Sequence, residues 1–194
     1  MAKNKKEKIL NTATELFASQ GFDNTTTLQI AKESRVTEPL LYYHFQGKEE
    51  IFTEIIKNIF QDYSRQLEAL PQSTETEFEK ISNLIRLHIH IAENRPNDGR
   101  IILANCPSKL KHDSHTCQTI ISKQQDIISE YLKDCLEKGN AKGEFDAHPV
   151  DHLVIIILCL INGILRKKLL GKKEKIAYEY TAIEFCRNAL CPKN

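Results

Sequence analysis

Two short stretches of this chain hold side chains capable of chemistry. In the first, Leu41-Tyr42-Tyr43-His44-Phe45-Gln46-Gly47-Lys48, two phenols, an imidazole and an ammonium lie close together among apolar residues. Such groups donate to phosphate oxygens and to base edges in a DNA groove. The second runs from Cys106 to Cys117, CPSKLKHDSHTC, and spaces Cys106, His112, His115 and Cys117 as C-x5-H-x2-H-x-C. That spacing matches no standard structural zinc site, where pairs usually stand as C-x2-4-C or H-x3-5-H, so no metal is assigned. It leaves one alternative function: a metal- or thiol-dependent enzyme, or a redox or metal sensor, built on this segment. No nucleophile elbow, HExxH, phosphate loop or paired carboxylates accompany it, and the chain is read as a non-enzyme with no cofactor.

The elements that must position the first cluster are helices. Ile9, Leu10, Ala13, Leu16 and Phe17 fall on one face of a helix over 3–19, which Gly21 stops. Thr26 opens a second helix, with Gln29 at capping-box spacing. Arg35 and Val36 form a turn. Thr37 caps a third helix whose first turn tolerates Pro39. Ile30, Ala31, Val36, Leu41 and Phe45 then face inward. Thr26, Thr27, Thr37, Glu38, Pro39, Leu40, Tyr42, Tyr43, His44 and Lys48 remain as the candidate DNA-binding surface. Two short helices joined by a tight turn form a helix-turn-helix, in which the second helix enters the major groove. There Glu38 can accept from a cytosine amino group, and Pro39 and Leu40 can touch thymine methyls.

Further along, apolar residues recur at helical spacing from Ile51 to Leu67, ending before Pro71. Helices are expected over 77–93, 99–106, 114–138, 149–170 and 173–190, with 95–98 as a break. This makes an all-α chain of about nine helices. It divides into a helix-turn-helix domain over 1–50 and a second helical domain over 51–194. Hydrophobic residues make up 41% of the chain, enough for a packed core. The six cysteines contain no CxxC pair, and no signal peptide is read in MAKNKKEKIL, so a cytoplasmic protein with reduced thiols is expected. The apolar run from Leu153 to Ile161 is too short for a membrane span. It is apolar nearly all round and must be covered on more than one side, which a two-fold dimer provides. Leu153, Ile157, Leu160, Gly163, Ile164, Tyr180 and Ile183 are the candidate interface. Net charge is +1, and basic and acidic side chains balance within the first fifty residues. Any DNA binding must therefore rest on a few placed groups.

Residues 9–52 resemble the DNA-binding domain of the TetR/AcrR family of transcriptional regulators. The likeness is carried by ILNTATELFASQGFDNTT, by IAKESRV and by TEPLLYYHFQGKEEIF. Leu41-Tyr42-x-His44-Phe45-x-x-Lys48-Glu49 is its most specific run, with Gly21-Phe22 and Thr26 at fitting distances. Ser34-Arg35 stands where the family often has a small residue pair. Over residues 53–194 the resemblance is architectural only. It implies a ligand-responsive homodimer that binds double-stranded operator DNA, a repressor released by a small-molecule effector. It puts Tyr42 and His44 on the DNA and Lys48 on a phosphate. It also implies an effector cavity among the helices over 77–93, 114–138 and 149–170. Candidate walls are Leu84, Leu87, His88, Ile91, Ile102, Cys106, Gln118, Ile121, Gln125 and Ile128, apolar with a few polar groups.

Overall fold

The computed structural model describes residues 2–71, 76–104, 106–111, 117–146, 148–171 and 178–192. Ten helices run through them in chain order: α1 (Ala2–Gln20), α2 (Thr27–Glu33), α3 (Glu38–His44), α4 (Lys48–Glu68), α5 (Glu77–Asn94), α6 (Pro96–Leu103), α7 (Ser108–Lys111), α8 (Cys117–Ala141), α9 (Val150–Leu170) and α10 (Tyr178–Leu190). No strand occurs among the described residues. The count exceeds the sequence expectation by one because α7 is a single turn, too short to show a period. α6 begins at Pro96, inside the expected break, because a proline is tolerated where a helix's first amide has no partner. The expected starts at Ser114 and Lys173 lie outside the described residues. No described helix is long and apolar enough to cross a membrane.

The chain forms two compact units: residues 1–62 with 96–122, and residues 63–95 with 123–194. In the first, Ile9, Ala13, Leu16 and Phe17 of α1 meet Ile30 and Ala31 of α2, Leu41 of α3 and the Ile51–Phe60 stripe of α4. Phe17, Phe22 and Phe52 close a triangle with ring centroids 5.3–5.5 Å apart. Such aromatic groupings add to plain burial. Gly21, at φ +85°, lets the chain turn Phe22 back into this cluster. α6 packs on α1, so Ile101 joins the same core.

In the second unit α5, α9 and α10 pack together. Val154, Ile157, Ile161 and Leu169 mark the buried stripe of α9. The loop after α8 is fastened to α5, where the Glu144 carboxylate accepts from the backbone N–H groups of Glu77 and Phe78 at 2.8 and 2.7 Å. A carboxylate there satisfies free amides and meets the positive end of the helix. The buried Glu77 carboxylate is paired with Lys142 at 2.6 Å and Lys80 at 3.0 Å. Burial works to raise the Glu77 carboxyl, but these two lysines outweigh it and hold it below its ordinary value.

Candidate nucleic-acid interface

α2 and α3 are each two turns long and are fixed by their ends. Thr26 accepts from the Gln29 backbone N–H at 3.1 Å, and Thr37 accepts from that of Leu40 at 3.4 Å. Between the helices, buried Ser34 donates its hydroxyl to the Ile30 carbonyl at 2.6 Å. Arg35 takes the left-handed backbone at φ 54° and stays exposed. The departure Ser34-Arg35 is thereby explained: the small residue is the one that must be buried. Arg35 carries a conformation that costs about 1–2 kcal/mol outside glycine.

The resulting surface holds most of the residues that the sequence assigns to DNA. Tyr42 is 51% exposed and Tyr43 79%. Thr26, Thr37 and Pro39 are exposed, and Thr27, Glu38, Leu40 and His44 are partly so. Thr27 Oγ1 lies 3.1 Å from the Tyr42 hydroxyl, a direct tie between α2 and α3. The His44 ring stands edge-on to Tyr43, and its enclosed Nε2 has no hydrogen-bond partner among the described residues. Sequence reasoning missed Leu28, which is 61% exposed on α2 beside Thr27. Its signal was an apolar residue out of register with the buried pair Ile30 and Ala31.

Lys48 differs from its neighbours on this surface. Its ammonium donates to the carbonyls of Phe22 at 2.8 Å, Thr25 at 2.9 Å and Asp23 at 3.4 Å. It also sits 4.4 Å from the Phe22 ring centroid. All three of its protons have acceptors in the loop between α1 and α2, so a phosphate would have to compete with that loop.

The candidate effector residues fall in both units. Leu84 and Leu87 are buried in the second, with Ile91 and Ile128 packed against the same core and Gln125 exposed. Cys106 is buried in the first, Ile102 and Ile121 are partly buried there, and Gln118 is exposed. His88 is tied at both ring nitrogens: Nδ1 lies 2.8 Å from the Leu84 carbonyl and Nε2 3.1 Å from the Tyr63 hydroxyl. Burial pushes the Tyr63 phenol up, reinforced by Tyr131, so its hydroxyl is the donor. Desolvation lowers His88, opposed by the Leu84 hydrogen bond, so its ring is neutral, protonated on Nδ1. Gln125 is the cavity wall expected from the sequence, but the buried glutamine of this helix, α8, is Gln124. Its Oε1 accepts from Ser64 at 3.4 Å, and its Nε2 has no hydrogen-bond partner among the described residues. Gln124 was missed because a one-residue shift along a helix is hard to fix from periodicity alone, and Tyr63 because its hydrogen bond to His88 joins residues 25 apart in the chain.

Of the candidate interface residues, Ile157 and Ile183 are buried in the second unit's own core. Leu153, Leu160 and Ile164 are partly buried against it, and Gly163 and Tyr180 are exposed. The apolar side chains that α9 and α10 leave more than half exposed are Ile155, Ile156, Leu170 and Phe185, and Cys159 of α9 is exposed as well.

In the Cys106–Cys117 segment, His112 and His115 lie outside the described residues. Cys106 and Cys117 are buried and free. Burial, with the hydrogen bond that its S–H donates to Cys106, pushes the Cys117 thiol up to about 12, so it is not ionised at neutral pH. A thiol in that state is a poor nucleophile and a poor metal ligand. No three His, Cys, Asp or Glu side chains gather as a metal site among the described residues.

Residues 9–55 match the family described as bacterial regulatory proteins, tetR family. The HTH-type transcriptional regulator QacR of Staphylococcus aureus (strain Mu50) is 28% identical over 165 residues, spanning 84% of this chain and 85% of that protein. The ketosteroid transcriptional regulator KstR2 of Mycobacterium tuberculosis shares the fold with a TM-score of 0.80 at 18% identity, covering 97% of this chain and 95% of that one. The regulator FadR from Bacillus subtilis, in complex with stearoyl-CoA, does so with a TM-score of 0.75 at 19% identity, over 92% and 96%.

Proposed function

This chain belongs to the TetR family of DNA-binding, ligand-responsive transcriptional regulators, and from that premise we propose that it acts as a homodimeric repressor released from its operator by a small molecule. The family is not enzymatic. The observation that carries the proposal is the α2–α3 surface. A capped two-turn helix presents Tyr42 and Tyr43 outward while Leu41 and Phe45 anchor it from behind.

Residues 1–50 serve as the DNA-binding domain and 51–194 as the effector-binding and dimerisation domain. Two copies join through the uncovered faces of α9 and α10, and their α3 helices meet successive major grooves about 34–36 Å apart. The effector binds in the second unit, where Tyr63, His88 and Gln124, whose Nε2 has no hydrogen-bond partner among the described residues, are polar groups among apolar neighbours. Stearoyl-CoA in the FadR structure shows that a relative of this fold accepts a small-molecule ligand. The signal travels along α4, whose first residues belong to the head's unit and whose last belong to the other. A coupling of about 1–3 kcal/mol between effector and operator is enough to switch occupancy.

The test is a gel shift at moderate salt on DNA from around the chain's own gene. A sequence-selective shift is expected, abolished in the double variant Tyr42→Ala with His44→Ala while circular dichroism stays helical. A folded double variant that still binds tightly would remove these two residues from the interface.

A further inference from the structure

α3, Glu38-Pro-Leu-Leu-Tyr-Tyr-His44, contains no arginine, lysine, asparagine or glutamine. Those four types make the bidentate hydrogen bonds that read guanine and adenine in the major groove. α2 carries two side chains of these types: Lys32, in its last turn and at the far end from Thr27, and Gln29, which is already spent on other side chains of the head. Gln29 is bound to Gln20 at 2.8 Å and to Glu33 at 3.1 Å. Lys48 is held by its three loop carbonyls. What the surface offers in their place is apolar: Leu28 on α2, 61% exposed, and Pro39 and Leu40 in the first turn of α3. Leu28 follows Thr27, whose hydroxyl touches Tyr42, in the first turn of α2, and its side chain is exposed.

A lone exposed leucine needs no explanation in water. On a surface that closes against base edges it does. Set against guanine or cytosine, an apolar side chain strips water from polar groups and returns no hydrogen bond. Set against the thymine C5-methyl, it buries apolar area on both partners. Glu38 adds a bias against guanine alone. Its carboxylate is repelled by guanine O6 and N7 and accepts from the amino group of adenine or cytosine.

We propose that this head reads its operator mainly through thymine methyl groups, with Leu28, Pro39 and Leu40 as the methyl-contacting residues and guanine disfavoured under the start of α3. The inference rests on the operator-binding reading above and names the base chemistry of that same surface. The operator half-sites it implies are rich in A·T pairs, with thymines placed under α2 and the first turn of α3.

The experiment selects duplexes from a random DNA library with the full-length chain, then replaces each thymine of the selected half-site, one at a time, by deoxyuridine. The exchange removes only the methyl and leaves every hydrogen-bonding edge in place. Expected are A·T-rich half-sites and, at two or three thymines, affinity losses of roughly fourfold for each methyl removed, the weight of one buried methyl group. Leu28→Ala, a change at an exposed position, should abolish the deoxyuridine effect at one of those thymines and leave the others. Selective binding that is indifferent to deoxyuridine overturns the proposal and leaves operator recognition standing. So does a half-site dominated by a guanine whose contribution disappears in Arg35→Gln. Failure to select any sequence would instead overturn the operator-binding reading itself.

Discussion

The α3 surface and the α9–α10 surface both leave large side chains in solvent, and they differ in what accompanies the apolar atoms. On α3, Tyr42 and Tyr43 each end in a hydroxyl, and Thr26, Thr27, Thr37 and Glu38 surround them. On α9, Ile155 and Ile156 have no polar atom to offer, and Phe185 of α10 has none either. The first surface is wetted at ease and gains from meeting phosphates, sugars and base edges. The second is relieved only by an apolar cover, as the centre of a subunit interface provides. Exposure alone therefore names no partner. The polar handles at the rim separate a face suited to nucleic acid from a face suited to a second subunit.

The most forceful way to break this contrast is to give the second surface charge. Ile156→Glu with Phe185→Glu is expected to convert a dimer to monomers in sedimentation at micromolar protein. Central interface residues contribute about 2 kcal/mol or more each, so the dissociation constant should rise by at least a hundredfold. Operator affinity should fall with it, because one head then binds one half-site. Gly163→Leu is a milder companion. A Cβ there meets nothing within 4 Å in the single chain, so the fold tolerates it and any loss of dimer reports the approach of the partner. A double variant that remains dimeric would move the interface elsewhere and end the comparison.

Much of this was legible in the sequence, and the losses have physical causes. Caps, turns and core stripes are local. Thr26, Thr37, Gly21 and the Ile51–Phe60 stripe act within a few residues of themselves and stand where their spacing puts them. Helix α7 was missed because four residues carry no period. Side-chain roles that depend on distant backbone were also hidden. Nothing near Lys48 in sequence announces that three carbonyls from residues 22–25 will surround its ammonium. On α9 the apolar run is so complete that periodicity does not separate the inward Ile157 from the outward Ile155 and Ile156. Packing decides which stripe is inside, and packing is not written in the run itself.

Lys48 sharpens the head's side of the contrast. If its ammonium serves the loop, Lys48→Met removes charge-assisted hydrogen bonds, each of which is worth about 1.5–3 kcal/mol when well enclosed and less at a part-exposed site. Thermal denaturation should show a clear loss of stability, while the salt dependence of operator binding keeps its slope. If it serves a phosphate, the slope of log affinity against log salt falls by about one and the melting temperature barely moves. We expect the first outcome, because each of the three ammonium protons already has an acceptor.

The smallest expected effect separates the interior of the second unit from its outer face. Desolvation holds the folded His88 below its unfolded value of 6.5. Below that pH the unfolded chain takes up a proton that the folded chain refuses. The stabilisation by neutral His88 is therefore complete above about pH 7 and drains away as pH falls through 6.5 toward the folded value. The slope from one such group cannot exceed about 1.4 kcal/mol per pH unit. His88→Gln keeps a polar side chain beside Tyr63 and does not titrate, so its stability should fall less between pH 6.5 and 5.5 than that of the parent. Glu77 does not confuse the measurement. Its lowered carboxyl supports the fold above its ordinary value of 4.5, and that support is lost only as pH falls through its folded value. Parallel stability curves for His88→Gln and parent from pH 7.5 to 5.5 would mean that His88 is as easily protonated in the fold as out of it. The Tyr63–His88 pair would then be a wetted contact like those on α3, not a dry polar centre of the kind an apolar effector would meet.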